Sequence, residues 1–200
     1  MAVDTHIYDK RFFKNTFKLE GPSARSAVNI IIKHIQPKTV IDIGCGSGIY
    51  LKEFLLAGIE ILGYDGSLAA LEGSLVGDKI KLHDLTKPLV LNKKFDLCLC
   101  IEVAEHLPEK CSDILIKTII NLSDIIIFTA ATPGQGPKSI GHINEQPHEY
   151  WVKKFAAFGF ILDQALTDKM RGEMKASNVV WWVTKNLMVF RNLSPSPSPN

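Results

Sequence analysis

The sequence has no long hydrophobic run, no large excess of charge and no paired cysteine motif. No stretch reaches the roughly 18 apolar residues of a membrane span, so we expect neither a membrane segment nor a membrane partner. The 23 basic and 21 acidic side chains leave a net charge of +2, which gives no electrostatic argument for a nucleic-acid partner. The first residues lack the basic-then-apolar pattern of a signal peptide, and we therefore expect a cytoplasmic location.

The four cysteines form neither a C-x-x-C pair nor a zinc-ligand spacing, and we predict no metal site. Cys98 and Cys100 lie two residues apart in an apolar run, so on a strand they would share one face; with Cys111 we expect them to be buried thiols. Cys45 lies between two glycines in a loop. We expect it to act as a backbone spacer, although a following helix N-terminus could lower the pKa of its thiol.

The composition is that of an ordinary globular domain, with 46% hydrophobic and 22% charged residues in a chain of 200. Residues 1–22 mix aromatic and basic side chains and predict an N-terminal cap or flap. Residues 23–193 form the main domain. Residues 194–200 alternate serine and proline, a composition that predicts a disordered tail.

Strand-type and helix-type segments alternate along the main domain. This β-α-β-α order predicts an α/β fold, in which helices cover both faces of a parallel sheet. A long loop then covers 131–147, and the polar stretch 169–177 has no clear assignment. The predicted helices are 23–36, 49–57, 67–73, 111–122 and 147–158, and the predicted strands are 39–43, 60–65, 79–84, 95–101, 124–130, 160–166 and 186–191.

A glycine-rich turn follows the first predicted strand directly and leads into a helix. Its sequence is Asp42-Ile-Gly-Cys-Gly-Ser-Gly48. Glycines allow positive φ and the close approach of a ligand, and the helix N-terminus beyond offers free N–H groups. A dinucleotide-binding turn would read G-x-G-x-x-G, but Ile49 stands where its third glycine belongs.

Acidic residues follow the next strands at regular places. Asp65 ends the second strand, Asp84 ends the third, and the fourth runs into an E-x-x-E-H block, Glu102 to His106. With the glycine turn, these motifs span residues 40–107 and resemble those of the class I S-adenosylmethionine-dependent methyltransferases. A carboxylate at Asp65 alone does not discriminate, because NAD-binding folds use the same position.

The resemblance implies a Rossmann-like three-layer αβα sandwich with a seven-stranded, mostly parallel sheet and an antiparallel last strand. It also implies S-adenosylmethionine as cofactor and S-adenosylhomocysteine as product. In the family, the residue matching Asp65 holds the ribose, and those matching Asp84 and Leu85 hold the adenine. The expected cofactor-binding residues are Asp42, Gly44, Cys45, Gly46, Gly48, Asp65, Gly66, Asp84, Leu85 and Ile101.

The acceptor site should involve the long loop after the fifth strand, since loops of this length in compact domains are usually functional. Its block from Gly141 to Trp151 resembles a stretch in a subgroup of these methyltransferases that is found near glycan and natural-product genes. His142 is the predicted general base, because the pKa of imidazole lies near neutrality. The other predicted catalytic residues are Glu102 and His106, and the predicted substrate-binding residues are Glu105, His142, Asn144 and Gln146.

Structural explanations of the same residues stay open. Asn144 and Gln146 could brace the loop, His142 could be a surface residue, and Glu105 and His106 could simply shape the pocket. Asp42 and Asp84 could likewise cap local turns.

We predict a small polar acceptor, a sugar or natural-product-like molecule methylated on oxygen or, less favoured, nitrogen. The Asn/Asp-Pro-Pro-Tyr/Phe block of adenine-N6 methyltransferases is absent after the fourth strand, where Ile101-Glu102-Val103-Ala104 stands. The alternatives are a non-catalytic protein that binds S-adenosylmethionine as a partner or sensor, and a NAD-dependent oxidoreductase. The sequence does not indicate an oligomeric state.

Overall fold

The computed structural model describes residues 3, 5–135 and 140–194. These residues form a seven-stranded sheet flanked by helices. The predicted disordered tail lies, apart from Ser194, outside the described residues. The strands are β1 Thr39–Ile43, β2 Glu60–Asp65, β3 Ile80–Leu82, β4 Leu97–Ile101, β5 Ile125–Thr129, β6 Phe160–Leu162 and β7 Met188–Asn192. The α-helices are α1 Lys10–Ile35, α2 Ile49–Leu56, α3 Leu68–Glu72, α4 Ser112–Leu122, α5 His148–Ala156, α6 Gln164–Ala176 and α7 Trp181–Asn186.

The strand order is β3-β2-β1-β4-β5-β7-β6. Strands β1 to β5 pair in parallel, whereas β7 lies antiparallel between β5 and β6. Chain direction therefore changes at the last strand, which confirms the predicted mostly parallel, Rossmann-like sheet.

Two hydrophobic clusters, one on each face of the sheet, make the three layers. One joins α1, α2, α6 and α7 to the sheet, and the other joins α4 and α5. Strand β4 is buried on both faces, as a central parallel strand should be. Cys98 and Cys100 lie in the same cluster, and all four cysteines are free and buried, as predicted for three of them from their apolar surroundings.

The first helix begins much earlier than predicted. Asp9 caps it by accepting the N–H of Phe12 at 2.8 Å, and the helix then runs through Pro22 without a break. Ser23, the first residue of the helix predicted over 23–36, is buried and accepts the N–H of Val180 at 3.3 Å. The start predicted at residue 23 is therefore wrong, and the predicted boundary between cap and domain falls inside α1.

The last third of the chain also holds more helix than predicted. Asp163 ends β6 and caps α6 by accepting the N–H of Leu166 at 3.0 Å. The strand predicted over 160–166 is therefore wrong after residue 162, and the unassigned stretch 169–177 lies largely in α6. A further helix, α7, precedes β7. Among the described residues, no helix has the length and apolar character needed to cross a membrane.

Gly63 gives a test of the packing between β2 and the glycine turn, because a side chain at this position would enter the space beneath that turn. A Cβ on Gly63 would lie 2.6 Å from both Cys45 Sγ and Leu51 Cδ1. Overpacking of this kind costs about 1–3 kcal/mol, so we expect Gly63→Ala to lower the free energy of unfolding by that amount in chemical denaturation.

The matched control is Gly172→Ala in α6, where a Cβ would have no neighbour within 4 Å. Alanine in a helix interior should raise the free energy of unfolding by up to about 1 kcal/mol. Equal effects of the two substitutions would contradict the packing described at Gly63.

Candidate functional site

A cavity of about 1690 Å³ opens at the carboxyl ends of β1, β2 and β4, where α/β sheets bind ligands. The first turns of α1 form one side of it, and the segment after β4 forms another. Most of the residues predicted for the site line this cavity: Asp42, Gly44, Cys45, Gly46, Asp65, Gly66, Asp84, Leu85, Ile101, Glu102, His106 and His142. Four predicted residues do not line it: Gly48, Glu105, Asn144 and Gln146.

The glycine turn needs a backbone that other residues rarely adopt. Gly44, Gly46 and Gly48 have φ values of 81°, 53° and 83°. Gly48 is the N-cap of α2 and contributes no side-chain cap, so the first turn of α2 keeps its N–H groups directed toward the turn. The structure thus places Gly48 behind the cavity wall, where it starts the helix.

The Asp65 carboxylate holds the turn from the neighbouring strand. Its Oδ2 accepts the N–H of Gly46 at 2.8 Å, and its Oδ1 accepts the N–H of Ser67 at 2.8 Å. Burial raises the pKa of Asp65, and the hydrogen bonds from these backbone donors oppose that increase. Each carboxylate oxygen still has lone-pair capacity for a ligand hydroxyl.

Asp84 is the exposed carboxylate of the predicted cofactor-binding set. Its Oδ1 accepts from both the N–H and the hydroxyl of Thr86, at 3.0 and 2.6 Å, which shapes a turn beneath Leu85. The Thr86 hydroxyl holds the pKa of Asp84 below its usual range. The explanation that Asp84 caps a local turn therefore accounts for its Oδ1 atom. Asp84 also lines the cavity.

Cys45 is not an activated thiol. Burial, with the nearby carboxylates Asp42 and Asp65, raises the pKa of Cys45 well above its usual range. The suggestion that the helix N-terminus lowers it is wrong, because desolvation and negative charge act in the other direction.

Two carboxylates, the buried Asp42 and the half-buried Glu20, line the cavity that the glycine turn also lines. Burial raises the pKa of Asp42 to about 7, with help from the charges of Asp65 and Glu20. Burial likewise raises the pKa of Glu20 to about 7. Glu20 accepts from Tyr50 Oη at 3.1 Å and Trp182 Nε1 at 3.2 Å. Sequence reasoning missed Glu20, because it assigned residues 1–22 to a separate cap and did not predict that α1 would carry this side chain to the cavity.

Glu102 follows β4 with a positive φ of 53°, which is unusual for a residue with a side chain. Its N–H donates to Thr129, and its carboxylate accepts from Asn186 Nδ2 at 3.0 Å and Gln135 Nε2 at 3.3 Å. Backbone strain of this kind is concentrated at functional sites.

Two histidines that line the cavity are in contact with each other. The His106 and His142 rings lie edge to face with centroids 4.8 Å apart. His106 Nδ1 lies 2.9 Å from Tyr8 Oη, and His142 Nδ1 lies 2.8 Å from Glu145 Oε1. Burial, together with His142, lowers the pKa of His106 to about 4, so its imidazole is neutral at neutral pH.

The remaining predicted substrate-binding residues support the loop from behind. Asn144 is buried and donates to the Ala104 carbonyl at 3.2 Å, and Gln146 donates to Asn144 Oδ1 at 3.0 Å. Glu105 is fully buried and accepts the Ala131 N–H at 3.1 Å. Burial and the Glu102 carboxylate raise the pKa of Glu105 well above its usual range. The structure thus places Asn144 and Gln146 in a brace, and their substrate contacts stay a prediction.

A family model described as a methyltransferase domain matches residues 23–129, more than half of the chain. The chain belongs to the class I S-adenosylmethionine-dependent methyltransferases. The match covers the glycine turn, Asp65, Asp84 and the Glu102 to His106 block, and S-adenosylmethionine is the cofactor that this family uses.

A curated relative of this methyltransferase is the ubiquinone biosynthesis O-methyltransferase of Nitrosomonas europaea. The two are 29% identical over 100 residues, which is 46% of this chain and 43% of that protein. The chain thus spans about half the length of the curated relatives it matches, or less.

Solved structures support the fold. The methyltransferase is similar to a SAM-dependent methyltransferase from Archaeoglobus fulgidus, with a TM-score of 0.65 at 14% identity over 90% of this chain and 98% of that one. It is also similar to the O-methyltransferase of a trans-AT PKS multienzyme from Brevibacillus brevis, solved with S-adenosylhomocysteine. That match has a TM-score of 0.59 at 14% identity over 85% of this chain and 71% of that one.

The charges around the cavity suit the cofactor of this methyltransferase. S-adenosylmethionine carries a sulfonium and an ammonium, both cationic. Glu20, Asp42, Asp65 and Glu102 all line the cavity, and the raised pKa values of the first three reflect the cost of burying negative charge. A cationic ligand offsets that cost, because opposite charges attract strongly where water is excluded.

Asp65 provides a direct test of cofactor binding by this methyltransferase. Asp65→Asn keeps the size of the side chain but removes the charge and leaves one oxygen where two accept N–H groups. Charge-assisted hydrogen bonds are worth about 1.5–3 kcal/mol each, so we expect S-adenosylhomocysteine affinity to fall about 10- to 100-fold by calorimetry.

Asp113→Asn is the matched control, since Asp113 lies on α4 and pairs with Lys154 at the surface. The control should bind like the parent protein. If Asp65→Asn also binds like the parent, Asp65 does not hold the cofactor.

Glu20 should make stability depend on pH. Burial raises the Glu20 pKa from 4.5 to about 7, so between these values the folded state binds more protons than the unfolded state. The free energy of unfolding therefore falls as the pH rises through this window. Glu20→Gln removes this contribution and should raise the free energy of unfolding at pH 8 by on the order of 2 kcal/mol. Asp42 titrates in the same range, so part of the slope persists.

Urea unfolding at pH 5 and pH 8 measures the difference. Glu72→Gln, which breaks an exposed ion pair with Lys10, is the control and should leave the slope unchanged. A Glu20→Gln protein with the parent's slope would show that Glu20 titrates normally.

Proposed function

We propose that this methyltransferase transfers a methyl group from S-adenosylmethionine to a hydroxyl oxygen of a small acceptor. The observation that carries the proposal is that Glu102 and the paired rings of His106 and His142 line the same cavity as Asp65 and the glycine turn. These groups offer polar contacts to a hydroxyl. The O-methyltransferase names of the curated relatives favour oxygen over nitrogen.

The cavity walls favour one kind of acceptor. The lining of the same cavity also includes Phe12, Leu107, Ile114 and Trp181, which are apolar or aromatic. Such walls bind flat or aliphatic bodies better than a fully hydroxylated ring, because burying unpaired hydroxyls is costly. We therefore infer a natural-product-like acceptor, such as a phenol or enol with a carbon skeleton, ahead of a free sugar.

Methyl transfer is an in-line displacement, and the cofactor supplies a methyl group that its sulfonium already activates. The chain has to hold the acceptor oxygen on the line through that methyl carbon and sulfur. In this proposal Asp65 and the glycine turn hold the cofactor. Glu102 and the residues around it position the acceptor oxygen. The strained backbone at Glu102 and its bonds to Gln135 and Asn186 restrict where that carboxylate can lie.

The test is production of S-adenosylhomocysteine from S-adenosylmethionine with a panel of phenols, enols and sugars. We expect turnover with a member of the phenol or enol set. His142→Ala should lower kcat by tenfold or more while S-adenosylhomocysteine affinity changes less than twofold, because His142 lies on the acceptor side.

His34→Ala controls for loss of a histidine, since His34 pairs with Glu173 of α6 and does not line the cavity. Cofactor binding without turnover on any acceptor would instead favour a non-catalytic partner or sensor. Equal losses of cofactor affinity in His142→Ala and Asp65→Asn would overturn the division into a cofactor side and an acceptor side.

A further inference from the structure

The Glu102 carboxylate is held by two amide side chains. Asn186 Nδ2 donates to Glu102 Oε1 at 3.0 Å and to Gln135 Oε1 at 2.7 Å, and Gln135 Nε2 donates to Glu102 Oε2 at 3.3 Å. Because an ionised carboxylate only accepts hydrogen bonds, these contacts fix which way both amides point. Glu102 and Gln135 line the cavity, whereas Asn186 is fully buried and does not line it.

The oxygen of the Asn186 amide lacks a partner. Asn186 Oδ1 is buried and accepts no hydrogen bond of normal geometry from the part of the chain that the structure describes. Burial of an unpaired acceptor is costly, and an amide without that bond is less firmly held against rotation. The arrangement therefore requires a donor next to Asn186, on the side of the amide away from Glu102.

His148, the first residue of α5, has a buried nitrogen that can be this donor. Its Nε2 also has no hydrogen bond of normal geometry among the described residues. Burial and the charge of Arg171 lower the pKa of His148, and the Asn186 side chain opposes that decrease. The two side chains are therefore neighbours, one with an unused acceptor and the other with a nitrogen that can carry a proton.

We propose that His148 Nε2 donates a hydrogen bond to Asn186 Oδ1, which makes His148 a positioning residue for Glu102. The bond fixes the Asn186 amide, and that amide holds the carboxylate through Nδ2. A buried polar network keeps a single arrangement best when every member is paired. His148 does not line the cavity itself, so it acts only through Asn186. The inference rests on the proposed function, in which Glu102 positions the acceptor oxygen.

The surroundings of His148 leave room for other side chains. His148 lines a second cavity, of about 440 Å³, together with residues of α5, α6, β6 and β7. Because the ring borders open space, a side chain of similar length fits at this position without overpacking. The charged groups around it are Glu149, Lys153, Arg171 and Lys185. Protonation of the ring keeps the Nε2–H donor, so the hydrogen bond persists when His148 titrates.

NMR of the full chain with S-adenosylhomocysteine bound tests the hydrogen bond without an acceptor. We expect the neutral His148 ring to carry its proton on Nε2. In Asn186→Ala we expect the pKa of His148 to fall further, because the opposing interaction is lost. A proton on Nδ1 in the parent, or an unchanged His148 pKa in folded Asn186→Ala, would overturn the proposal. The first of these readings needs no variant and stands if Asn186→Ala does not fold.

Turnover tests the positioning of Glu102. Leucine at position 148 removes the donor, whereas glutamine keeps an N–H near the place of Nε2. We expect His148→Leu to lower kcat by about tenfold with little change in S-adenosylhomocysteine affinity, and His148→Gln to recover most of that loss. In an Asn186→Ala background His148→Leu should have no further effect, because residues that act through one another are not additive. His34→Gln, which removes a histidine paired with Glu173, should turn over as the parent does.

Binding of S-adenosylhomocysteine to each variant confirms that it is folded. Parental kcat in His148→Leu, or equal losses in the leucine and glutamine variants, would overturn the positioning role. If the parent binds S-adenosylhomocysteine but methylates no acceptor, the proposed function fails, while the tautomer and pKa of His148 still decide whether the hydrogen bond exists.

Discussion

The site depends on the two hydrogen bonds that the Asp65 carboxylate accepts from the backbone of Gly46 and Ser67. They join the loop after β1 to the end of β2 and to the start of α3. In this turn the N–H groups of Gly44 and Cys45 donate to the Tyr64 carbonyl, whereas the N–H of Gly46 donates to the Asp65 side chain, since buried backbone groups need a partner. The parallel pairing of β1 with β2 puts that acceptor within reach, since Ile43 and Tyr64 are in register.

The same arrangement buries negative charge around the cavity. Asp42 and Glu20 would each prefer water, and their pKa values near 7 show how incompletely the protein alone offsets their burial. Such a site is less stable than a filled apolar core would be, a pattern common where binding takes priority over stability. Charge and backbone strain occur at the same cavity, because Glu102, which also lines it, has a positive φ.

Local sequence was enough to predict the central sheet and to name residues that meet at one cavity, because glycines and strand-end carboxylates occupy fixed places in this topology. It was not enough for Glu20, whose position depends on how α1 crosses the sheet rather than on a motif. It also failed at Ser23, which accepts a hydrogen bond from the distant Val180, and at Asp163, which was predicted inside a strand but caps α6. Asn144 and Gln146 looked suited to a ligand but bond to each other and to the Ala104 carbonyl, a partner that only the folded loop provides.

The position of β7 between β5 and β6 sets an order of assembly. Among the described residues, strand β6 pairs with β7 alone in the sheet, and β7 is the last of the seven strands in sequence order. During synthesis, β5 therefore keeps an open edge, and β6 has no neighbour in the sheet, until residues 188–192 emerge. Unpaired strand edges invite association with other chains, so the interval before β7 arrives is when this protein is most exposed to misassembly.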